Sequence, residues 1–160
     1  MKRTLTALAA LAMMALGAAS VAPQTLGFAA QAQEAADIDT SMVKDMSIGN
    51  PDSNVTIIEY ASFTCPHCAA FHATTFKDLK ADYIDTGKIN FIHREVYFDR
   101  FGLWAGIMAR CGENAENRYF GIADIVYEQQ SVWARQDDPN DIVASLRNIG
   151  KTAGLSDGEL

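Results

Sequence analysis

The chain has 160 residues, 13 Lys+Arg against 20 Asp+Glu, and a formal charge of −7 at pH 7. So acidic a balance provides no electrostatic footprint for nucleic acid, and three cysteines are too few for a disulfide-built scaffold. The length suffices for one domain with its own core, not for two.

The first element is a targeting signal. Met1-Lys2-Arg3 begins it, an Ala/Leu/Met-rich run follows from Leu5 to about Ala19, and Ala30-Gln31-Ala32 supplies a small-residue cleavage site. The run is short for a membrane span and is interrupted by Gly17, Ser20 and Pro23. Residues 1–32 therefore read as a cleaved secretory signal peptide, and the expected location is the periplasm. No Cys precedes Cys65, which excludes a lipoprotein anchor, and Lys2-Arg3 is not a twin-arginine pair. Residues 33–41 are polar and Ala-rich, a loose leader, and the domain is expected over 42–160.

Asn50-Pro51-Asp52-Ser53-Asn54 is a cluster of turn formers. The β-branched run Val55-Thr56-Ile57-Ile58-Glu59-Tyr60-Ala61 after it reads as a strand with both faces buried. Cys65-Pro66-His67-Cys68 then opens a helix expected to run to about Asp85, with Ala69, Phe71, Phe76, Leu79 and Tyr83 at helical spacing and Gly87 as the stop. Lys88 to Val96 reads as a second strand, so residues of about 42–97 form one βαβ unit.

The placement of CPHC turns its two cysteines into a redox pair. A thiol at the first helical turn faces N–H groups without intrahelical partners and the positive end of the macrodipole, which stabilise its thiolate. Stabilising the Cys65 thiolate stabilises the reduced pair and makes the disulfide a stronger oxidant. Cys68, inside the helix, is expected to be shielded. His67 can donate to the Cys65 thiolate and add positive charge as it protonates. Glu59, six residues before Cys65 in an apolar strand, reads as a buried carboxylate able to relay a proton to or from Cys68.

An all-helical segment of about 98–155 follows: Asp99 to Cys111, Asn117 to Gln130, and Pro139 to about Ala153, the last with Asp138 as N-cap and Pro139 at its first position. Cys111 shares an apolar face with Leu103, Ile107 and Met108, the setting of an inert buried thiol. Gly154 ends that helix, and Ser156 and Glu159 have the spacing of a capping box. A sheet of two strands is a poor basis for a stable domain, so the intact protein is expected to continue beyond Leu160.

The segment EYASFTCPHCAAFH, residues 59–72, resembles the active-site segment of DsbA-type thiol:disulfide oxidoreductases of the thioredoxin superfamily, and the likeness extends more loosely over 42–155. The resemblance implies an α/β fold, a thioredoxin-like βαβ unit with an all-helical insertion, whose final ββα half and cis-proline loop are missing from this chain. It implies catalytic Cys65, Cys68, His67 and Glu59, with Cys65 and Cys68 as the redox-active disulfide and no cofactor. It also implies partners: unfolded exported proteins with free cysteines, and a membrane quinone-linked reoxidant, with contact to the membrane otherwise only through the signal peptide.

Two alternatives stay open on the residues. One is a disulfide reductase or isomerase, disfavoured because residues 33–45 are short for a dimerisation domain. The other is a periplasmic zinc- or copper-binding module using Cys65, Cys68 and a histidine, His72 or His93. Covalent haem needs His directly after Cys68, where Ala69 stands.

Overall fold

The computed structural model describes residues 39–41 and 43–160. The signal peptide, most of the leader and Met42 lie outside the described residues. Among these residues no helix is long and apolar enough to cross a membrane.

Among the described residues the sheet has three strands, not two. β1 (Met46–Gly49) runs antiparallel to β3 (Asn90–Glu95), and β2 (Thr56–Ala61) runs parallel to β3, giving the order β1-β3-β2. Only Met46 and Ile48 alternate inward in β1, too few positions for periodicity to separate a strand from a lead-in. Gly49, at φ 99°, turns the chain out of it, a conformation that suits residues without a Cβ.

The expectation that β2 is buried on both faces is corrected. It is an edge strand among the described residues, and Ile57, Ile58 and Tyr60 are exposed while Glu59 points inward. β3 takes the central place, so its inward side chains Phe91 and His93 are fully buried. The parallel register sets Glu59 against His93 and Ala61 against Glu95.

The single helix expected over 65–85 is also corrected. It forms as α1 (Pro66–Ala73), α2 (Thr75–Leu79) and a π-helical turn over Lys80–Ile84. The break is at Thr74, at φ −129° and ψ −89°, whose hydroxyl donates to the Ala70 carbonyl at 2.8 Å. A β-branched side chain bonded back to that carbonyl competes with the helical ladder. The break keeps His72 and Phe76 on the inner side, their rings 4.4 Å apart.

The helical segment comprises α3 (Arg100–Ala109), α4 (Ala115–Glu128), α5 (Gln130–Trp133) and α6 (Pro139–Thr152). Asp138 caps α6 by accepting from the Asn140 N–H at 2.8 Å. The turn after α6 is closed by Glu159, whose Oε2 accepts from the Ser156 N–H and hydroxyl, both at 2.8 Å. α4 lies across the inner face of β3: Phe91 packs on Phe76 and Phe120, while Tyr119 and Tyr127 close on His93. Trp133 is buried and donates its indole N–H to the Val126 carbonyl at 2.8 Å, fixing the short α5 against α4.

Candidate active site

β2 ends at Ala61, and the loop Ser62–Thr64 delivers Cys65 to the N-cap of α1, with Pro66 at the first helical position. A proline there sacrifices no helical hydrogen bond and arrives with φ already suited to the helix. The loop is held from three sides. The Cys65 N–H donates to the Ser62 carbonyl at 3.0 Å. Buried Gln130, the first residue of α5, donates through Nε2 to the carbonyls of Phe63 at 2.8 Å and Cys65 at 2.9 Å. The Thr64 hydroxyl donates to Asp99 at 2.7 Å, while the other Asp99 oxygen accepts from the N–H groups of Phe101 and Gly102, each at 2.8 Å.

Asp99 thus caps α3 and tethers the active-site loop with one carboxylate. Gly102 allows the close approach, since a Cβ there would sit 3.1 Å from the Ser62 hydroxyl oxygen. Asp99→Ala is expected to lower stability by about 1–2 kcal/mol, the loss of an N-cap together with the Thr64 bond, read as a lower urea midpoint at unchanged m.

Both sulfurs of the pair are free and half-buried, and the protein treats them differently. Partial burial opposes the Cys65 thiolate, but hydrogen bonds from the Cys68 backbone, the Cys68 thiol and the His67 backbone bring its pKa below the usual thiol value. Burial, the hydrogen bond to Cys65 and the charge of Glu59 push Cys68 up to about 11. His67 contributes through its main chain: its side chain is exposed and its ring makes no hydrogen bond among the described residues.

Glu59 points inward from β2 with its side chain 14% exposed, its charge bearing on Cys68, and its Oε2 is 3.0 Å from His72 Nε2 and 3.9 Å from His93 Nε2. Burial works against a charged His72, but the carboxylates of Asp124 and Glu59, one at each ring nitrogen, outweigh it and raise its pKa. His93 goes the other way, lowered to about 4, chiefly by burial. Its Nδ1 is 2.8 Å from the Tyr119 hydroxyl and its Nε2 is 3.1 Å from that of Tyr127. Both tyrosines are raised, first by burial and then by neighbouring carboxylates.

Among the described residues, the side chains placed close enough to share a metal are Glu59, His72 and His93, and neither cysteine is in that group. Both His93 nitrogens are already engaged by tyrosine hydroxyls. A zinc or copper site built on Cys65, Cys68 and a histidine is therefore not assembled here.

Sequence reasoning missed Gln130, Tyr119 and Tyr127, whose roles arise from helices packed on the sheet. Periodicity marks each only as an inner-face helical residue. Cys111, expected fully buried, is half-buried at the end of α3, its thiol donating to the Ile107 carbonyl at 3.3 Å.

The family model described as thioredoxin matches residues 41–159. The chain belongs to the thioredoxin family, and it is of the DsbA type. Its structure overlays that of Wolbachia pipientis alpha-DsbA1 with a TM-score of 0.64 at 32% identity, covering 73% of this chain and 57% of that one. A Rickettsia bellii protein provisionally named a protein-disulfide oxidoreductase is 39% identical over 115 residues, 72% of this chain and 43% of that protein. A protein-disulfide isomerase from Novosphingobium aromaticivorans overlays at a TM-score of 0.62 with 18% identity, a likeness of fold alone, over 72% of this chain and 68% of that one. The fold is thus the thioredoxin-like α/β arrangement with a helical insertion. The chain spans less than half the length of the Rickettsia bellii relative.

Proposed function

We propose that the protein is a periplasmic thiol:disulfide oxidoreductase that introduces disulfides into exported proteins, with Cys65 and Cys68 as its redox pair. The observation that carries this reading is the asymmetry of the two thiols, Cys65 lowered and Cys68 raised to about 11. A pair so arranged favours the thiolate at its outer sulfur and keeps its inner one protonated when reduced. Periplasmic placement is supported by the basic start, the apolar run and the Ala30-Gln31-Ala32 site.

The chemistry proceeds in two exchanges. A substrate thiolate attacks Cys65 Sγ in the oxidised pair, the Cys65–Cys68 bond breaks, and Cys68 leaves with the electron pair and takes a proton. A second substrate thiolate then attacks the substrate sulfur of the mixed disulfide, and Cys65 departs as a stabilised thiolate. Two electrons pass from the substrate thiols to the pair, which a membrane quinone-linked partner would take up. Glu59 serves as the proton exchanger for Cys68, and the exposed His67 ring lies beside the pair at the start of α1.

Equilibration of the protein with glutathione buffers tests the direction. Its potential is expected well above the roughly −270 mV of thioredoxin, and a value near that one would mark a reductase instead. His67→Leu keeps the main-chain N–H and removes only the ring, so a further fall of about 10–20 mV is expected, the equivalent of 0.5–1 kcal/mol. An unchanged potential would assign the whole effect of residue 67 to its backbone.

A further inference from the structure

The network around Glu59 does not end inside the protein. His72 is buried, its side chain 3% exposed, with Nε2 on Glu59 at 3.0 Å, and its other nitrogen, Nδ1, makes no hydrogen bond. That nitrogen is 3.9 Å from the Oδ1 of Asp124 on α4, too far for a direct bond. The Asp124 side chain is 54% exposed, so it has room to change rotamer beside His72. His72 and Asp124 both line a groove of about 710 Å³ between α1, α4 and α5, open beside Pro66 at the start of the active-site helix. A buried polar nitrogen left without a partner is costly, and in this one the ring spans the interior carboxylate and the solvent-facing one.

We propose that His72 is a proton-transfer residue, carrying protons between the inward Glu59 of β2 and Asp124 in the groove. The proposal rests on the thiol–disulfide reading and adds the route by which Cys68 gains and loses its proton. When the pair closes, Cys68 attacks the Cys65 sulfur of a mixed disulfide. The bond from Cys65 to the partner sulfur breaks, the partner leaves as a thiolate with the electron pair, and the Cys65–Cys68 bond forms. The Cys68 proton passes to Glu59, from Glu59 to His72 Nε2, and a proton leaves His72 Nδ1 for Asp124 and the solvent. Opening of the pair runs the same route inward.

An imidazole suits this position because it accepts on one nitrogen while releasing from the other. The ring is held for it, stacked on Tyr127 with centroids 4.2 Å apart and edge-on to Phe71 at 5.6 Å. The groups that bear on its titration are Glu59 from β2, His93 from β3, Cys68 one turn earlier on α1, Lys77 from α2, Asp124, Tyr127 and Glu128 from α4, and Arg135 after α5. Of the charged groups, Glu59 bonds the ring directly at Nε2, and Asp124 stands 3.9 Å from Nδ1.

Ellman's reagent separates the steps in stopped flow on the reduced full-length protein carrying Cys111→Ser. The first nitrothiobenzoate released reports attack by Cys65, and the second, independent of reagent concentration, reports attack by Cys68. His72→Gln is expected to leave the first phase unchanged and to slow the second by about tenfold or more at neutral pH, in line with the loss of a general base. Its second phase should rise in proportion to hydroxide, and free imidazole should restore the rate in His72→Ala. Asp124→Asn, at a half-exposed position, should slow the second phase by about threefold with a shifted pH profile.

A native second phase in His72→Gln or in Asp124→Asn would overturn the relay while leaving the redox reading intact. A slowed phase with the native pH profile and no response to imidazole would likewise overturn it, assigning His72 to packing. Absence of a second phase in the native protein would overturn the thiol–disulfide reading itself, and the relay with it.

Discussion

Cys65→Ser is expected to abolish disulfide transfer to reduced model substrates and all alkylation at mildly acidic pH, whereas Cys68→Ser is expected to accumulate mixed disulfides with substrate. The two outcomes follow from the positions of the sulfurs. Cys65 stands at the N-cap of α1 with main-chain N–H groups turned to it and a lowered pKa, so it is the readier of the two thiols to ionise and to react. Cys68 is one turn into the helix, more deeply buried and raised to about 11, which leaves on the order of one part in ten thousand ionised at pH 7. Without Cys65 no reactive sulfur remains; without Cys68 the mixed disulfide on Cys65 lacks the neighbour that would release it. Iodoacetamide labelling across pH and non-reducing gels of substrate mixtures check both. Trapped complexes with Cys65→Ser rather than Cys68→Ser would reverse the assignment, and equal slow labelling of both thiols would argue for a structural bridge.

What could be read from the chain divides by range. The strand-to-helix transition at Cys65, the cap at Asp138 and the inward Glu59 are local matters of residue type and spacing, and each stands in the structure where the residues placed it. The helix break at Thr74 is local too, but one β-branched pair, Thr74-Thr75, is too weak a signal against a continuous apolar stripe. β1 escaped because four residues with two inward side chains carry almost no period, and its existence depends on the β3 edge it pairs with. The exposure of β2 is not legible because an apolar run declares burial without declaring how many neighbours the strand has. The site shows the same division. Cys65, His67 and Cys68 are legible as a motif, while residue type alone leaves His72 and His93 open as metal ligands. The surroundings of His72 and His93 (Tyr119, Tyr127 and Asp124) are set by α4 packing over β3, and Gln130 of α5 holds the active-site loop.

The largest loss of stability is expected from Arg110→Met, at about 3 kcal/mol. Glu95, the last residue of β3, has a side chain only 4% exposed and accepts both arms of the Arg110 guanidinium at 2.7 and 2.6 Å. The same guanidinium donates to the Lys44 carbonyl at 2.9 Å, just before β1, and lies over Tyr119 of α4 at 5.5 Å. One side chain therefore joins the sheet to two helices of the insertion. Burial alone would raise the Glu95 carboxyl, but the Arg110 fork, with further hydrogen bonds, holds it below its ordinary 4.5. A folded pKa below the unfolded one means that the stabilisation is present above about pH 4.5 and is lost as pH falls through the folded value. Removing Arg110 leaves a buried carboxylate without its cationic partner, with burial opposed only by the remaining hydrogen bonds, so its pKa rises. The variant's deficit should thus be greatest at neutral pH and shrink as acid neutralises Glu95. Arg110→Met combined with Glu95→Leu removes the unpaired charge as well, so it should recover most of the loss, as happens when a buried ion pair is replaced whole by apolar side chains. Urea melts of the native protein, both single variants and the double variant at pH 7 and pH 4 measure the cycle. A double variant as unstable as Arg110→Met would locate the cost in lost packing against Tyr119 rather than in the stranded charge.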